Sequence, residues 1–419
     1  MAMRAGEVQA PAGRPPLPRA AEVVVVGGGL AGCSLAYQLA RRGQQVLLLE
    51  QRGICSGASG RNGGMTGAGS SLHSATGRAV YALTSENLRM LREELPAELG
   101  DDFTLRLPGN LDIATNEEQW EHLAHSVEAQ RAQGIDVRLL DRAELRAMVP
   151  VVSERVLGAK FAPGSGHLWP FALVFALAAG ARRHGARLHT WTPVTRLLAA
   201  NGAVTGVETA AGSVEAGTVV LATNAWTPLL LPELPAGALV PARGQILVTQ
   251  AMPTVLPHPF GTNFDKEYGR QTASGQILCG GFRRLDVDEG LGLYEERVTA
   301  PVLGGIAGCL ETLFPPLGGL QWVRGWAGIM GFTADGLPLI GPYAALRGLY
   351  VAAGFNGGGF SWGAATGKAL AELIVNGRSP FDLSPFDPAR FQRAAVTWAN
   401  PFTAGERNNP RRAGGPEEP

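Results

Sequence analysis

The sequence predicts an α/β protein in which a parallel, doubly wound sheet is joined to a separate α+β unit with an antiparallel sheet. Three observations predict it. Val23 to Val26 is a run of four valines followed at once by GGGLAG, Gly27 to Gly32, which is how a βαβ unit opens. A second strand, glycine-rich loop and helix recur late in the chain, from Gly348 to Val375. Between Pro228 and Trp322 the pattern changes to short alternating strands separated by turns, such as Gln245 to Gln250 and Gln276 to Cys279.

The elements follow in order. After the valines comes a helix whose apolar Leu35, Leu39, Ala36 and Ala40 recur at helical spacing, with Arg41 and Arg42 in its last turn and Gly43 as cap. Val46 to Glu50 is the second strand and completes a right-handed crossover. Thr115-x-x-Glu118 opens an amphipathic helix to about Gln133, and Asp141-x-x-Glu144 opens another ahead of Leu145 and Met148. Phe171 to His184 reads as a helix leading into a strand from Arg187 to Trp191, and Thr218 to Ala222 is a second all-apolar strand. The strand Gly348 to Ala353 runs into GFNGGGFSWG and a helix from about Ala364.

Composition excludes several classes. Lys+Arg 36 against Asp+Glu 36 gives no basic field for nucleic acid and no polybasic membrane patch. Glycine, 57 of 419 residues, has no triplet period, so the excess belongs at turns and close backbone approaches. Four scattered cysteines, Cys33, Cys55, Cys279 and Cys309, support neither a disulfide framework nor a thiolate metal site, and a reducing cytoplasm is expected. The uncharged stretch Val23 to Ala40 is interrupted by three glycines and reads as strand, turn and helix, with no membrane span. The chain holds only three lysines, Lys160, Lys266 and Lys368.

Gly27, Gly29 and Gly32 form G-x-G-x-x-G between a strand and a helix, and Glu50 ends the second strand about 20 residues on, where a carboxylate accepts bonds from a ribose diol. A dinucleotide is expected there, its pyrophosphate at the helix tip. The segment SGASGRNGGM, Ser56 to Met65, is too rich in glycine for a packed element and suits a large flat ligand. The late helix tip can stabilise negative charge on a bound ring, which favours a flavin over a nicotinamide.

These segments resemble the D-amino-acid-oxidase-type FAD flavoproteins, such as glycine oxidase and sarcosine oxidase, and most closely their γ-glutamylputrescine oxidoreductase branch. The resemblance covers Glu22 to Ile374, through VVVVGGGLAG, GASGRNGG, GHLWP, ATNAW, PARGQ, YGRQTASGQILCGG, WAGIMGFTADGLPLIG and GFNGGGF. It implies a Rossmann-type FAD-binding domain of the GR2 kind, discontinuous over 21–95, 150–227 and 323–380, with a substrate domain at 96–149 and 228–322. Disordered tails are expected at 1–20 and 404–419.

Residue by residue, the resemblance implies that Gly27, Gly29, Leu30, Ala31, Gly32, Glu50 and Gln51 hold the ADP half. Gly57, Ser59, Arg61, Asn62, Gly63 and Gly64 would take the ribityl chain and flavin edge, and Val194 the adenine. Thr223 and Trp226 would line the same cleft, and Gly354, Gly357, Gly358, Gly359 and Phe360 would face the flavin carbonyl. Tyr268, Arg61, Trp326 and Met330 would surround the substrate.

The sequence departs from the family where substrate is held. Amino-acid-oxidising members carry an arginine at the position of Met330, and glycine oxidases a second one at the position of Gly357. An amine substrate without an obligatory α-carboxylate is therefore expected. The alternative is a D-amino-acid, glycine or sarcosine type of oxidase or dehydrogenase whose carboxylate rests on Arg61 or Arg324, with Arg270 a further candidate. A reading of another class is a flavin-carrying subunit inactive without partners. No lysine stands in ILCGG, where sarcosine-oxidase-like members activate dioxygen, so the acceptor is O2 or an unidentified carrier. No thiol stands near Met330, so FAD should be non-covalent. His167 reads as structural, Cys55 as a small buried residue, and the charged turn Arg283 to Glu289 as a solvated loop.

Overall fold

The computed structural model describes residues 16–69, 72, 74–262, 267–392 and 396. The expected tails fall outside these residues, except that Leu17 packs on the core and Ala20 bridges to Glu215.

The valine run is the centre of a six-stranded sheet. Its order is Leu339–Pro342, Leu349–Ala353, Thr218–Leu221, Val23–Val26, Val46–Leu49 and Arg187–His189. All neighbours are parallel except the first pair. Successive side chains of a strand point to opposite faces. Val23, Val25, Val46 and Leu48 therefore enter one core, while Val24, Val26, Leu47 and Leu49 enter the other. Both faces are covered, which is why the run is continuously apolar. Each buried valine or leucine contributes about 1.5–3 kcal/mol.

On one face lie the helices Leu30–Ala40, Pro170–Arg183 and Gly363–Asn376. Every residue of Leu30–Ala40 is buried. It meets the last helix at Gly367, where a Cβ would collide with Ser34, and Ser34 Oγ donates to the Ala364 carbonyl at 2.8 Å. On the other face packs a three-stranded antiparallel sheet, Val194–Ala200, Ala203–Thr209 and Gly212–Glu215.

The second unit is an eight-stranded sheet ordered Trp322–Thr333, Leu239–Ala251, Gln276–Gly280, Tyr268–Gln271, Phe260–Gly261, Asn110–Ala114, Gly158–Ala162 and Arg138–Asp141. Its pairs are antiparallel except Phe260–Gly261 with Asn110–Ala114. The helix Ala300–Leu313 closes its core with Val302, Ile306 and Leu310. Two strands here come from segments that the sequence placed with the nucleotide part, at 150–227 and 323–380. Trp322–Thr333 pairs along nearly all of Leu239–Ala251, and Gly158–Ala162 is held between Asn110–Ala114 and Arg138–Asp141. Strand pairing, which sequence proximity does not reveal, sets these boundaries.

Helix starts follow local chemistry. Asp141 and Glu144 form the expected reciprocal capping box, each bond 2.9 Å. The other expected box shifts by one residue. Asn116 caps Glu117–Arg131 by accepting from Gln119 N, and Thr115 N and Oγ1 donate to the Gln119 side chain.

Candidate active site

A cleft of about 1090 Å³ opens at the carboxyl ends of the parallel strands, where Val26, Leu49 and Ala222 reach it. This is where open α/β sheets bind ligands, and the volume lies at the top of the usual range of about 300–1,000 Å³. The first turn is bare backbone of necessity. Gly27 has φ +112, and a Cβ on it would sit 2.5 Å from the Ala222 carbonyl oxygen. A Cβ on Gly32 would collide with the Gly27 carbonyl, so only glycine lets the helix approach the strand.

The helix begins at Gly29 with no side-chain cap and no acidic residue in its first turn, leaving its positive end available to an anion. Leu30 N donates to Ser59 Oγ at 3.0 Å, which ties the second glycine-rich loop to this tip. Glu50 is 8% exposed and accepts from Gly28 N and Arg52 N, both at 2.7 Å. Burial pushes its carboxyl up from the usual carboxylate range, and the two amides pull it back. A carboxylate has more acceptor sites than these two bonds use.

Most expected residues face this cleft. Gly27, Gly29, Leu30, Ala31, Glu50 and Gln51 line its first end, with Val194 beside them. Gly57, Ser59, Arg61, Asn62 and Gly63 line its length, as do Thr223, Trp226, Gly357, Gly359 and Phe360, and Tyr268 and Met330 stand on its other wall. Five others back the wall instead. Gly32 meets Gly27, a Cβ on Gly64 would collide with the Leu168 carbonyl, one on Gly354 would sit 2.5 Å from Thr333, and Gly358 lies 3.6 Å from the Phe355 carbonyl by the same measure. Trp326 lies outside the cleft lining, its indole N–H donating to the Arg61 carbonyl at 3.2 Å. It orients Arg61 from behind.

The late helix also differs from expectation. Its first amides, Ala364 N and Ala365 N, donate to Asn87 Oδ1. The preceding loop and Gly363 face the cleft, while the amides at the tip are bonded by a side chain from Ala75–Arg89.

The opposite wall comes from the eight-stranded sheet. Gln245, Ile246, Tyr268, Met330 and Phe332 face it. Burial pushes the Tyr268 phenol far above its ordinary value. Arg61 is held at 28% side-chain exposure, its Nε donating to the Ser56 carbonyl, Nη1 to the Ala327 carbonyl, and Nη2 paired with Glu296 at 3.1 Å. Arg52 shares Glu296 at 2.7 Å. Among the described cleft-lining residues the carboxylates are Glu50 and Glu296, the cations are Arg52, Arg61 and Arg283, and no histidine, lysine or cysteine takes part.

Other candidates lie elsewhere. Arg324 is exposed and stacks on Trp326, outside the cleft lining. Arg270 is buried under the second glycine-rich loop and donates to the Gly63 and Leu168 carbonyls. His167 is a backbone partner of Arg106, and burial pushes its imidazole down to about 4. Cys55 is buried.

The turn Arg283 to Glu289 overturns its reading as a solvated loop. Arg283 is 7% exposed and lines the cleft. Asp286 is 8% exposed, and accepts from Arg243 Nε at 2.8 Å and Nη2 at 2.7 Å and from Gln245 at 3.1 Å. Arg283 and Asp286 of this turn are internal, Asp286 paired with Arg243, while Arg284 and Asp288 remain exposed. Glu296 had no local signal, because its partners Arg52 and Arg61 come from a distant segment.

The glycine turn, the acid-free helix tip and the buried carboxylate fit a dinucleotide. The family model described as FAD dependent oxidoreductase, DAO, matches residues 22–373. Glycine oxidase of Geobacillus kaustophilus (strain HTA426) is 32% identical over 377 residues, covering 88% of this chain and 97% of that protein. Mitochondrial dimethylglycine dehydrogenase of Mus musculus is 28% identical over 421 residues, covering 94% of this chain, which spans 47% of that longer protein. Among solved structures, glycine oxidase from Geobacillus kaustophilus superposes with TM-score 0.81 at 29% identity, over 89% of this chain and 99% of that one. L-proline dehydrogenase from P. horikoshii gives TM-score 0.80 at 29% identity, over 90% and 99%.

Proposed function

This chain belongs to the DAO family of FAD-dependent oxidoreductases, and from that premise we propose that it oxidises the carbon–nitrogen bond of an amine to an imine, which water then hydrolyses to a carbonyl compound and a released amine. The observation that carries this reading is the make-up of the substrate half of the cleft. Tyr268, Ile246, Met330 and Phe332 form a largely apolar wall, and neither carboxylate of the cleft is placed to act as a base there. Glu50 is engaged by two amides and Glu296 by two arginines.

Bound FAD would supply the two-electron acceptor, taking a hydride at its N5 from the carbon next to nitrogen. The protein's part is to hold and orient. Gly27 to Ala31 would take the pyrophosphate, Glu50 the ribose, Val194 the adenine, and Arg61 to Gly63 the flavin edge. The apolar wall excludes water and favours the neutral amine, whose lone pair then needs no protein base. Met330 makes no charged bond, so the substrate class extends to γ-glutamylputrescine-like and other amines. A non-covalent cofactor is supported by the absence of all four cysteines from the described cleft lining. A cytoplasmic location is supported by those unbridged cysteines. No helix among the described residues is long and apolar enough to cross a membrane. The acceptor is O2 or a carrier.

The second reading, oxidation of an amino acid or N-methyl amino acid, is favoured by the cation Arg283 in the cleft wall. The test is anaerobic mixing of the holoenzyme with putrescine-type amines, sarcosine, glycine and D-proline. Rapid bleaching by the amines supports the first reading, and bleaching by the amino acids alone supports the second.

A further inference from the structure

Residues 292–299 leave the eight-stranded sheet after Leu291 bridges to Ala242, and return to it where Thr299 N donates to Gln245 Oε1 at 2.7 Å. Between those points they cross to the nucleotide unit. Tyr294 donates its hydroxyl to the Ala225 carbonyl at 3.0 Å, and its ring centre lies 5.8 Å from that of Trp226. Glu296 accepts from Arg52 Nη1 at 2.7 Å and Nη2 at 3.0 Å, and pairs with Arg61 Nη2 at 3.1 Å. Tyr294 and Glu296 both line the cleft.

Strand order says what this crossing covers. Ala225 follows Thr218–Leu221 and Arg52 follows Val46–Leu49, the two strands that flank Val23–Val26 on either side. Strands with one neighbour between them lie roughly 10 Å apart, a gap that two extended residues and their side chains span. Residues 294–296 therefore bridge the crevice into which the Gly27 turn opens. A dinucleotide reaching from Glu50 to the Tyr268 wall would lie between that turn and this bridge.

The bridge is held by side chains. Gly292 N donates to the Pro241 carbonyl at 2.9 Å, but among the described residues 293–298 make no backbone-to-backbone hydrogen bond. A segment fixed by so few bonds opens at far lower cost than a strand in a ladder. The side chains of Arg52, Glu296 and Arg61 are 16%, 17% and 28% exposed, so parting them leaves each charge within reach of water.

We infer that residues 292–299 form a strap across the cofactor cleft, latched by Glu296 on Arg52 and Arg61, and that FAD enters and leaves only while the latch is open. The inference rests on FAD lying along this cleft, and adds that a segment of the other unit sets the rate of its exchange.

Two rates test it on the full chain: uptake, from quenching of FAD fluorescence on mixing with apoprotein, and release, from its recovery on dilution of holoprotein. A latch holds the strap closed with or without FAD. Glu296→Gln should therefore speed both rates by about 10- to 100-fold and move the dissociation constant by less than either. Faster release alone, with the dissociation constant rising in step, marks a mere contact to FAD and overturns the strap. So do two unchanged rates in a protein that is only less stable to heat. Arg52→Gln should speed exchange less, since Arg61 keeps Glu296, and the double variant should exchange no faster than Glu296→Gln. Additive effects overturn the latch. Should Glu296→Gln fail to fold, unchanged rates in Arg52→Gln overturn it instead. The placement of FAD is scored separately through Glu50→Gln. Weakened FAD affinity there, with normal exchange rates in Glu296→Gln, sinks the strap alone, and unchanged affinity in Glu50→Gln sinks the placement and the strap with it.

Discussion

Glu50 shows how one side chain can be legible in sequence. Its distance from the glycine turn follows from the length of a βαβ crossover, so its arrival at the cleft needed only local rules. Replacing Glu50 with Gln keeps the shape but removes the charge to which the amides of Gly28 and Arg52 donate. FAD affinity of the apoprotein, read from quenching of flavin fluorescence, should fall about tenfold; an unchanged affinity would remove Glu50 from the nucleotide site. His167 gives a pH prediction. Its folded-state value is depressed by burial from 6.5 to about 4, so the folded protein binds fewer protons than the unfolded chain between these values. Stability is then full above about pH 6.5 and lost as pH falls towards 4. His167→Gln should flatten denaturation midpoints across that window, and an identical slope in both proteins would contradict the assignment. Arg283 and Glu296 were not legible, since a charge in a turn looks solvated until distant chain covers it.

At the scale of elements, the glycine cradle was readable because its requirement is steric and local. Gly32→Ala would set a methyl against the Gly27 carbonyl. The cost should be about 1–3 kcal/mol by denaturant unfolding, with loss of bound flavin. A stable, yellow Gly32→Ala protein would mean that the helix has room to withdraw. The late helix was located correctly in sequence, yet its cap came from Asn87, hundreds of positions earlier in the chain. Trp326 illustrates the same limit. It sits on Trp322–Thr333, and which face that strand turns to the cleft depends on its register with Leu239–Ala251. Alternation settles such faces only once the partner strand is known.

For the whole molecule, the cleft joins two sheets that share no strand, so a ligand along it binds both. Removing FAD should lower the melting temperature by a few degrees, since ligand at about 100 times its dissociation constant adds about 2.7 kcal/mol. Acid precipitation should release intact FAD into the supernatant, because no cysteine among the described lining residues reaches the cleft. The pH dependence of turnover belongs to the same scale. Burial holds the Tyr268 phenol protonated far into the alkaline range. The profile of kcat/KM should therefore rise through the pKa of the substrate amine with no descending limb from this tyrosine.

The most direct test is anaerobic reduction of the purified holoenzyme by an amine series, with and without a carboxylate, followed by the visible absorbance of the flavin. We expect saturable bleaching by at least one amine of the series. A flavin that stays yellow with every amine and amino acid, in protein that is folded and fully loaded, would contradict it.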